Sequence, residues 1–194
     1  MWQPIIKSIK LIVICTIVTG LIYPFAMTGV AQLLFPTQAN GSLLINTDGT
    51  IVGSELIGQN FQSDRYFHGR PSAAGDDGYD AMSSGGSNLG PTNEKLISQV
   101  LDNMDDVRKS NDMLDSAEVP SDLVLASASG LDPHITPDAA YVQARRVAET
   151  RHMNVQTVKN LIKEHIETKQ LGFLGEDKVN VLVLNRALDT AAQS

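Results

Sequence analysis

A chain of 194 residues with 15 basic and 22 acidic side chains, formal charge −7, has room for one ordinary domain plus an anchor. The acid excess argues against a nucleic-acid surface, which needs clustered Lys and Arg, and against a domain lying flat on anionic lipid. The single cysteine, Cys15, lies within an apolar stretch, which excludes intramolecular disulfides and Cys-based metal sites.

Taken in chain order, the first feature is an apolar run over residues 11–35, predicted to be a transmembrane helix with Pro24 as a kink and Pro36 as a stop. Lys7 and Lys10 precede it, and the next basic residue is Arg65. The positive-inside rule therefore predicts a single-pass protein of the cell (inner) membrane. Residues 1–10 are cytoplasmic and 36–194 form an extracytoplasmic (periplasmic or extracellular) soluble domain. That outer part carries 13 basic against 22 acidic residues, a charge of −9. A cleaved signal peptide is the rival reading, but the run exceeds the ~7–15 residues of a signal core. Thr16 and Gly20 are four apart, and Tyr23, Met27 and Thr28 continue near that face, a small-residue spacing that lets another helix approach.

Beyond the anchor, residues 43–45 and 50–52 flank Asn46-Thr47-Asp48-Gly49 and read as a β-hairpin. Residues 63–92 are rich in Gly, Ser, Asp and Pro without a period, and their aromatics predict an ordered loop packed on something. Thr92 or Asn93 caps a helix with Leu96, Ile97, Val100, Leu101, Met104 and Val107 inward. Residues 122–127 read as a short strand. Thr136-Pro137-Asp138 starts a helix carrying Ala140, Ala144, Val147 and Ala148. Asn154 caps another, with Val155, Val158, Leu161, Ile162 and Ile166 inward, ending near Gly172. Residues 179–184 read as an apolar strand and 185–192 as a final helix. This order predicts an α+β (mixed α/β) domain on a small sheet.

Four histidines, His68, His134, His152 and His165, show no zinc-motif spacing, so no metal site is expected. His152 and His165 fall on predicted polar helix faces. Ser127, Ser129, Asp132 and His134 crowd one stretch, and a membrane-tethered serine hydrolase would use one serine with His134 as base. No Gly-x-Ser-x-Gly elbow is present, and the stretch reads better as a turn. Residues 83–88 form a Ser/Gly run similar to the Ser-Gly-Gly core of the ABC-transporter signature, but with no Walker lysine. Its amides, at Ser84, Gly85, Gly86, Ser87 and Asn88, are candidates for nucleotide contact. Residues 65–71, with Tyr66, Phe67 and Arg70, have the composition of an interface centre, or of aromatics entering the domain's own core with arginines on loop carbonyls.

Several of these stretches together resemble one family. They are residues 61–73, 84–93, 119–124 and 129–135, followed by Pro137, Ala139, Ala140, Gln143, Arg146, Val147 and Ala148. With a single N-terminal span, they resemble the small C subunit of the bacterial Kdp-type potassium-transporting P-type ATPase. Ala128 departs from the glycine more usual there. The resemblance implies a complex of four parts: a channel-like potassium-binding subunit, an ATP-hydrolysing P-type subunit, a very small membrane subunit, and this joining one. It implies a non-catalytic accessory role in assembly and activity of high-affinity potassium import, by itself no enzyme and without a tightly bound cofactor. A role as catalytic chaperone would raise the ATP affinity of the ATPase subunit, with ATP reached through that subunit. A free-standing extracytoplasmic interaction module is the remaining alternative.

Overall fold

The computed structural model describes residues 2–46 and 48–191. The chain divides into two compact units, Met1–Val52 and Gly53–Ser194.

The first unit is dominated by a helix running from Trp2 to Leu34, 33 residues with no buried position and an 18-residue stretch of mean hydropathy 2.2, long and apolar enough to cross a membrane. It starts nine residues before the predicted span, because Lys7 and Lys10 interrupt the apolar run but not helix formation. Two α-helical segments, α1 (Trp2–Ile17) and α2 (Tyr23–Leu34), are joined by a π-turn at Val18–Ile22. There the Tyr23 N–H donates to the Val18 carbonyl, five residues back. Pro24 lacks an N–H and its ring crowds the carbonyl four residues before it, so a widened turn just ahead of it accommodates both defects. The Thr19 hydroxyl donates to the Cys15 carbonyl at 2.7 Å, a back-bond that favours bending. A short helix α3 (Pro36–Ala39) follows. Strands β1 (Leu43–Ile45) and β2 (Ile51–Ser54) form a two-stranded sheet, closed by the Asn46 N–H on the Thr50 carbonyl. Thr47, in the predicted turn, lies outside the described residues; Gly49 has a positive φ, at 85°.

The second unit is built on α5 (Pro137–Thr150). Thr136 caps it by accepting from the Ala139 N–H, and Pro137 occupies the first turn. Its inward Ala139, Ala140, Ala144, Val147 and Ala148 have no exposed surface. Their small side chains let α6 (Val155–Glu164) and the sheet approach closely, and α7 (Val181–Ala191) packs in turn on α6 and the sheet. Asn154 caps α6 on the Gln156 N–H, and Asn93 caps α4 (Glu94–Ser110) on the Lys95 N–H. The sheet is antiparallel with order β3-β5-β4, from His134–Ile135, Lys178–Asn180 and Ile166–Glu167. Its register pairs Ile135 and Ile166 with Val179, which is fully buried at the centre.

Four expectations are corrected here. Residues 122–127 form no strand: Ser121–Leu123 is a 3₁₀ turn entered from Pro120, and the buried Asp122 carboxylate accepts from the Thr136 N–H and hydroxyl. Of the apolar run 179–184 only Val179 and Asn180 are strand, in β5. The Asn180 side chain accepts from the Val183 N–H, and the helix starts at Val181 rather than 185. α6 ends at Glu164, because residues 166–167 pair with β5. His152 and His165 sit at helix ends rather than on helix faces: His152 follows α5 at φ 57°, and the His165 ring pairs with the Leu161 carbonyl at the end of α6. Residue 192 of the last predicted helix lies outside the described residues.

Candidate functional site

The segment of residues 64–68 crosses the helical layer, and its backbone groups are met almost entirely by side chains. Gln143 and Arg146, three apart on α5, share a face. The Gln143 amide accepts from the His68 N–H at 2.7 Å and donates to the His68 carbonyl at 3.1 Å. Asn185 of α7 repeats the arrangement one residue earlier, accepting from the Phe67 N–H at 2.8 Å and donating to its carbonyl at 3.0 Å. Both amides are about 1% exposed, so each imitates a strand neighbour inside the core. The Arg146 guanidinium reaches the Asp64 carbonyl, Asn111 and Gln143. Arg151, at the end of α5, donates to the Arg65 carbonyl and to Asp189 and lies over the Tyr66 ring, 4.7 Å from its centroid.

This lattice disposes of the interface-like stretch. Phe67 is fully buried in the core cluster, so its ring presents no surface. Tyr66 is half-buried, its hydroxyl on Asp189. Arginines do hold loop carbonyls: Arg146 and Arg151 hold those of Asp64 and Arg65, and Arg70 of the loop itself reaches the Leu125 carbonyl at 3.5 Å. Burial pushes the His68 ring below its ordinary pKa, and the Arg146 charge adds to that.

Arg70 belongs to a second node. Its Nη1 donates to Asp132 at 3.2 Å, and its carbonyl accepts from the Tyr79 hydroxyl at 2.6 Å. Burial raises the Asp132 pKa, but the His134 contacts and the Arg70 charge outweigh it, leaving the carboxyl below its usual range. Burial first, then the Asp132 charge, push the Tyr79 phenol up to about 12, against the opposing pull of Arg70. A cleft of about 370 Å³ opens beside this node, lined by His68, Arg70, Tyr79, Asn103, Asn111 and Gln143 among others.

The Ser/Gly run is stitched to the turn that precedes β3. The Ser84 hydroxyl and the Gly85 N–H both donate to the Ser129 carbonyl, at 2.9 Å each. A Cβ on Gly86 would lie 3.0 Å from the Ala128 oxygen. At Gly130, φ is 66° and a Cβ would fall 2.7 Å from both the Ala74 Cβ and the Gly85 oxygen. The Ser72 hydroxyl donates to the Gly130 carbonyl and accepts from Tyr79 and Ala74 N–H groups. Ser87 and Asn88 remain exposed, Asn88 at φ 52°. Thus stretches 40 residues apart in sequence form one seam.

Neither serine of the hydrolase reading meets a base. Ser129 accepts from the Leu131 N–H, whereas the His134 ring faces Asp132 at 3.5 Å. Among the described residues, no group of three His, Cys, Asp or Glu side chains could hold a metal ion.

The model of the family described as "KdpC: K+-transporting ATPase, c chain" matches residues 5–190, from the apolar helix to the last turn of α7. The chain belongs to the KdpC family. A protein of Gemmatimonas aurantiaca named potassium-transporting ATPase KdpC subunit is 55% identical over 174 residues, 90% of this chain and 86% of its own. KdpC subunits of Mycobacterium tuberculosis and Bradyrhizobium diazoefficiens are each 49% identical, over 97% and 99% of this chain and 99% of their own. The stretches that carried the KdpC resemblance in the sequence are the ones that interlock: residues 61–73 with Gln143 and Arg146, and 84–93 with 129–135. Sequence reasoning missed Asn185, Arg151 and Asp189, which act on partners 86 to 123 residues away. The available signal was an Asn directly after the apolar run 181–184 and an Arg just past the end of a predicted helix. Thr16, Gly20 and Tyr23 lie exposed on the apolar helix, with Gly20 inside the π-turn.

Proposed function

We propose that this chain is a non-catalytic accessory subunit of an ATP-driven potassium importer, required for its assembly and activity. The observation that carries this reading is the KdpC match over residues 5–190, which takes in the apolar helix and the polar lattice together. The helix anchors the chain in the cell membrane. Lys7 and Lys10 favour a cytoplasmic N-terminus, which puts the domain after about residue 36 outside. Its partners are the channel-like potassium-binding subunit, the ATP-hydrolysing subunit and the very small membrane subunit. The outer domain docks over the potassium entrance, where its charge of −9 raises local K⁺ modestly, given a screening length of ~8 Å.

A non-catalytic role is supported by how the reactive-looking groups are used: Ser84, Gly85, Ser129 and Asp132 all serve the fold. The catalytic-chaperone effect, a raised ATP affinity of the hydrolysing subunit, then runs through contacts with that subunit and not through nucleotide held at residues 84–88. Deleting this chain should abolish growth at micromolar potassium and potassium-stimulated ATP hydrolysis by the purified assembly, and restoring it should rescue both. Full transport without it would sink the proposal. Protease digestion of the domain in intact spheroplasts tests the topology; protection until lysis would invert it.

A further inference from the structure

Between the apolar helix and strand β1 the chain gains little height. α3 closes in a Schellman turn: the Gly41 N–H donates to the Gln38 carbonyl at 3.0 Å and the Ser42 N–H to the Thr37 carbonyl at 2.9 Å, with Gly41 at φ 86°. The Asn40 amide donates to the Pro36 carbonyl at 2.7 Å and exchanges two hydrogen bonds with the Gln32 amide, at 3.2 and 3.3 Å. Gln32 belongs to the last turn of α2, so residue 40 has come back to the level of the helix end. Strand β1 starts three residues later.

The hairpin rooted there has one apolar face. Leu43 and Ile45 share a side of β1. The Asn46 N–H on the Thr50 carbonyl sets Ile51 opposite Ile45, so its side chain joins them. Leu43 is 41% exposed, Ile45 49% and Ile51 63%, which continues the apolar exposure of Leu33, Leu34 and Phe35 at the helix end. Asn46 and Thr50, on the opposite side, are exposed and polar. Residues 11–47 carry no charge. The one charge of the hairpin, Asp48, is held in its turn, where it accepts from the Thr50 N–H at 2.9 Å and the Thr50 hydroxyl at 2.6 Å.

Depth decides what covers this face. Residues 11–35 make about 37 Å of helix against ~30 Å of hydrocarbon, so the last turn reaches the headgroup zone. An uncharged apolar face rooted at that level matches the boundary between headgroups and acyl chains. It needs no basic rim, because the covalent span, and not attraction to anionic lipid, keeps it at the surface. We infer that the Leu43–Ile45–Ile51 face is a foot embedded in the bilayer surface on the side where the helix ends, with Asn46 and Thr50 turned to water. This rests on the reading of the helix as a membrane anchor and holds for either orientation of the chain. Helix and foot together stop the hairpin from swivelling about the helix axis.

The test uses the full-length chain with Cys15→Ser, reconstituted into phosphatidylcholine–phosphatidylglycerol vesicles both alone and with its co-purified, cysteine-free partner subunits. Leu43→Cys, Ile45→Cys, Ile51→Cys, Thr50→Cys and Ser87→Cys are spin-labelled one at a time. Power saturation then reads collisions with oxygen, which concentrates in lipid, and with a water-soluble nickel chelate. The oxygen-to-nickel ratio at positions 43, 45 and 51 should exceed that at 50 and at the exposed position 87 several-fold. A ratio at 45 and 51 equal to that at 87 puts the face in water and overturns the proposal. Few collisions with either reagent put it under protein, which overturns the proposal as well. Val13→Cys separates the two readings: if a label there also collides freely with nickel, the anchor itself fails, whereas an immersed position 13 with a wet hairpin leaves the anchor and removes only the foot.

Discussion

The substitution Asn185→Leu tests whether the core is held by side-chain amides in place of a strand partner. Leucine keeps the branched shape, so no cavity forms, but its methyl groups are bulkier and offer nothing to the Phe67 N–H and carbonyl, which Asn185 meets at 2.8 and 3.0 Å. Phe67 is fully buried and Asn185 is 1% exposed, so water has no ready access to either group. Leaving a buried backbone donor or acceptor unpaired costs about 1–3 kcal/mol, so two cost about 4 kcal/mol. For a domain of this size, each kcal/mol lowers Tm by about 2–4 °C, giving a drop of about 12 °C. Near-UV circular dichroism of the full chain in detergent reads this out. Tyr66, Tyr79 and Tyr141 all lie in the domain, whereas the only tryptophan, Trp2, lies in the apolar helix. Ser87→Ala, at an exposed position, is the control and should leave Tm unaltered. A fall of under 3 °C for Asn185→Leu would refute the claim that these two bonds are structurally costly to lose.

Gly130→Ala combines a φ of 66° with contacts of 2.7 Å to Ala74 and to the Gly85 carbonyl, and should destabilise by about 2–4 kcal/mol. Limited proteolysis should then cut first within residues 72–90. Tyr79 has its folded pKa raised to about 12, so its contribution to stability is intact below pH 10 and is lost as the pH climbs towards 12. Absorbance at 295 nm should show one late-titrating tyrosine that vanishes in Tyr79→Phe. His68 has a lowered folded pKa, so stability is present above pH 6.5 and declines as pH falls below it. His68→Gln should flatten that acid limb in a series of unfolding curves. His134→Ala should retain potassium-dependent growth; its loss, with the fold intact, would revive a catalytic role.

What the sequence disclosed was local. Asn93, Thr136 and Asn154 are caps, and a cap acts within three residues, so the starts of α4, α5 and α6 were readable from a few letters. The three strands of the second unit are two or three residues long, too short for an alternating pattern to register, and they were missed or overextended. Val181 to Leu184 is apolar enough for a strand; only Asn180 turning its side chain onto the Val183 N–H starts a helix there. The amide pairs were illegible for another reason. Asn185 and Phe67 are 118 residues apart, and no local period relates them. The Ser/Gly run was visible as composition, yet its use as a seam against residues 128–130 depended on the fold bringing them together.

The π-turn at Val18–Ile22 changes which side chains share a face of the apolar helix. One surplus residue in a turn advances everything after it by about 100° relative to an uninterrupted helix. Thr16 and Gly20 still stack, with a Cβ on Gly20 placed 4.0 Å from the Thr16 methyl. Tyr23 and Met27, which a simple helical wheel aligns with them, are swung roughly a quarter of the way round. The rod thus carries two faces offset by that angle, one on either side of the π-turn. Deleting a single residue between positions 18 and 22 should restore one continuous stripe, turning the whole half beyond Ile22 although no side chain on it has been altered.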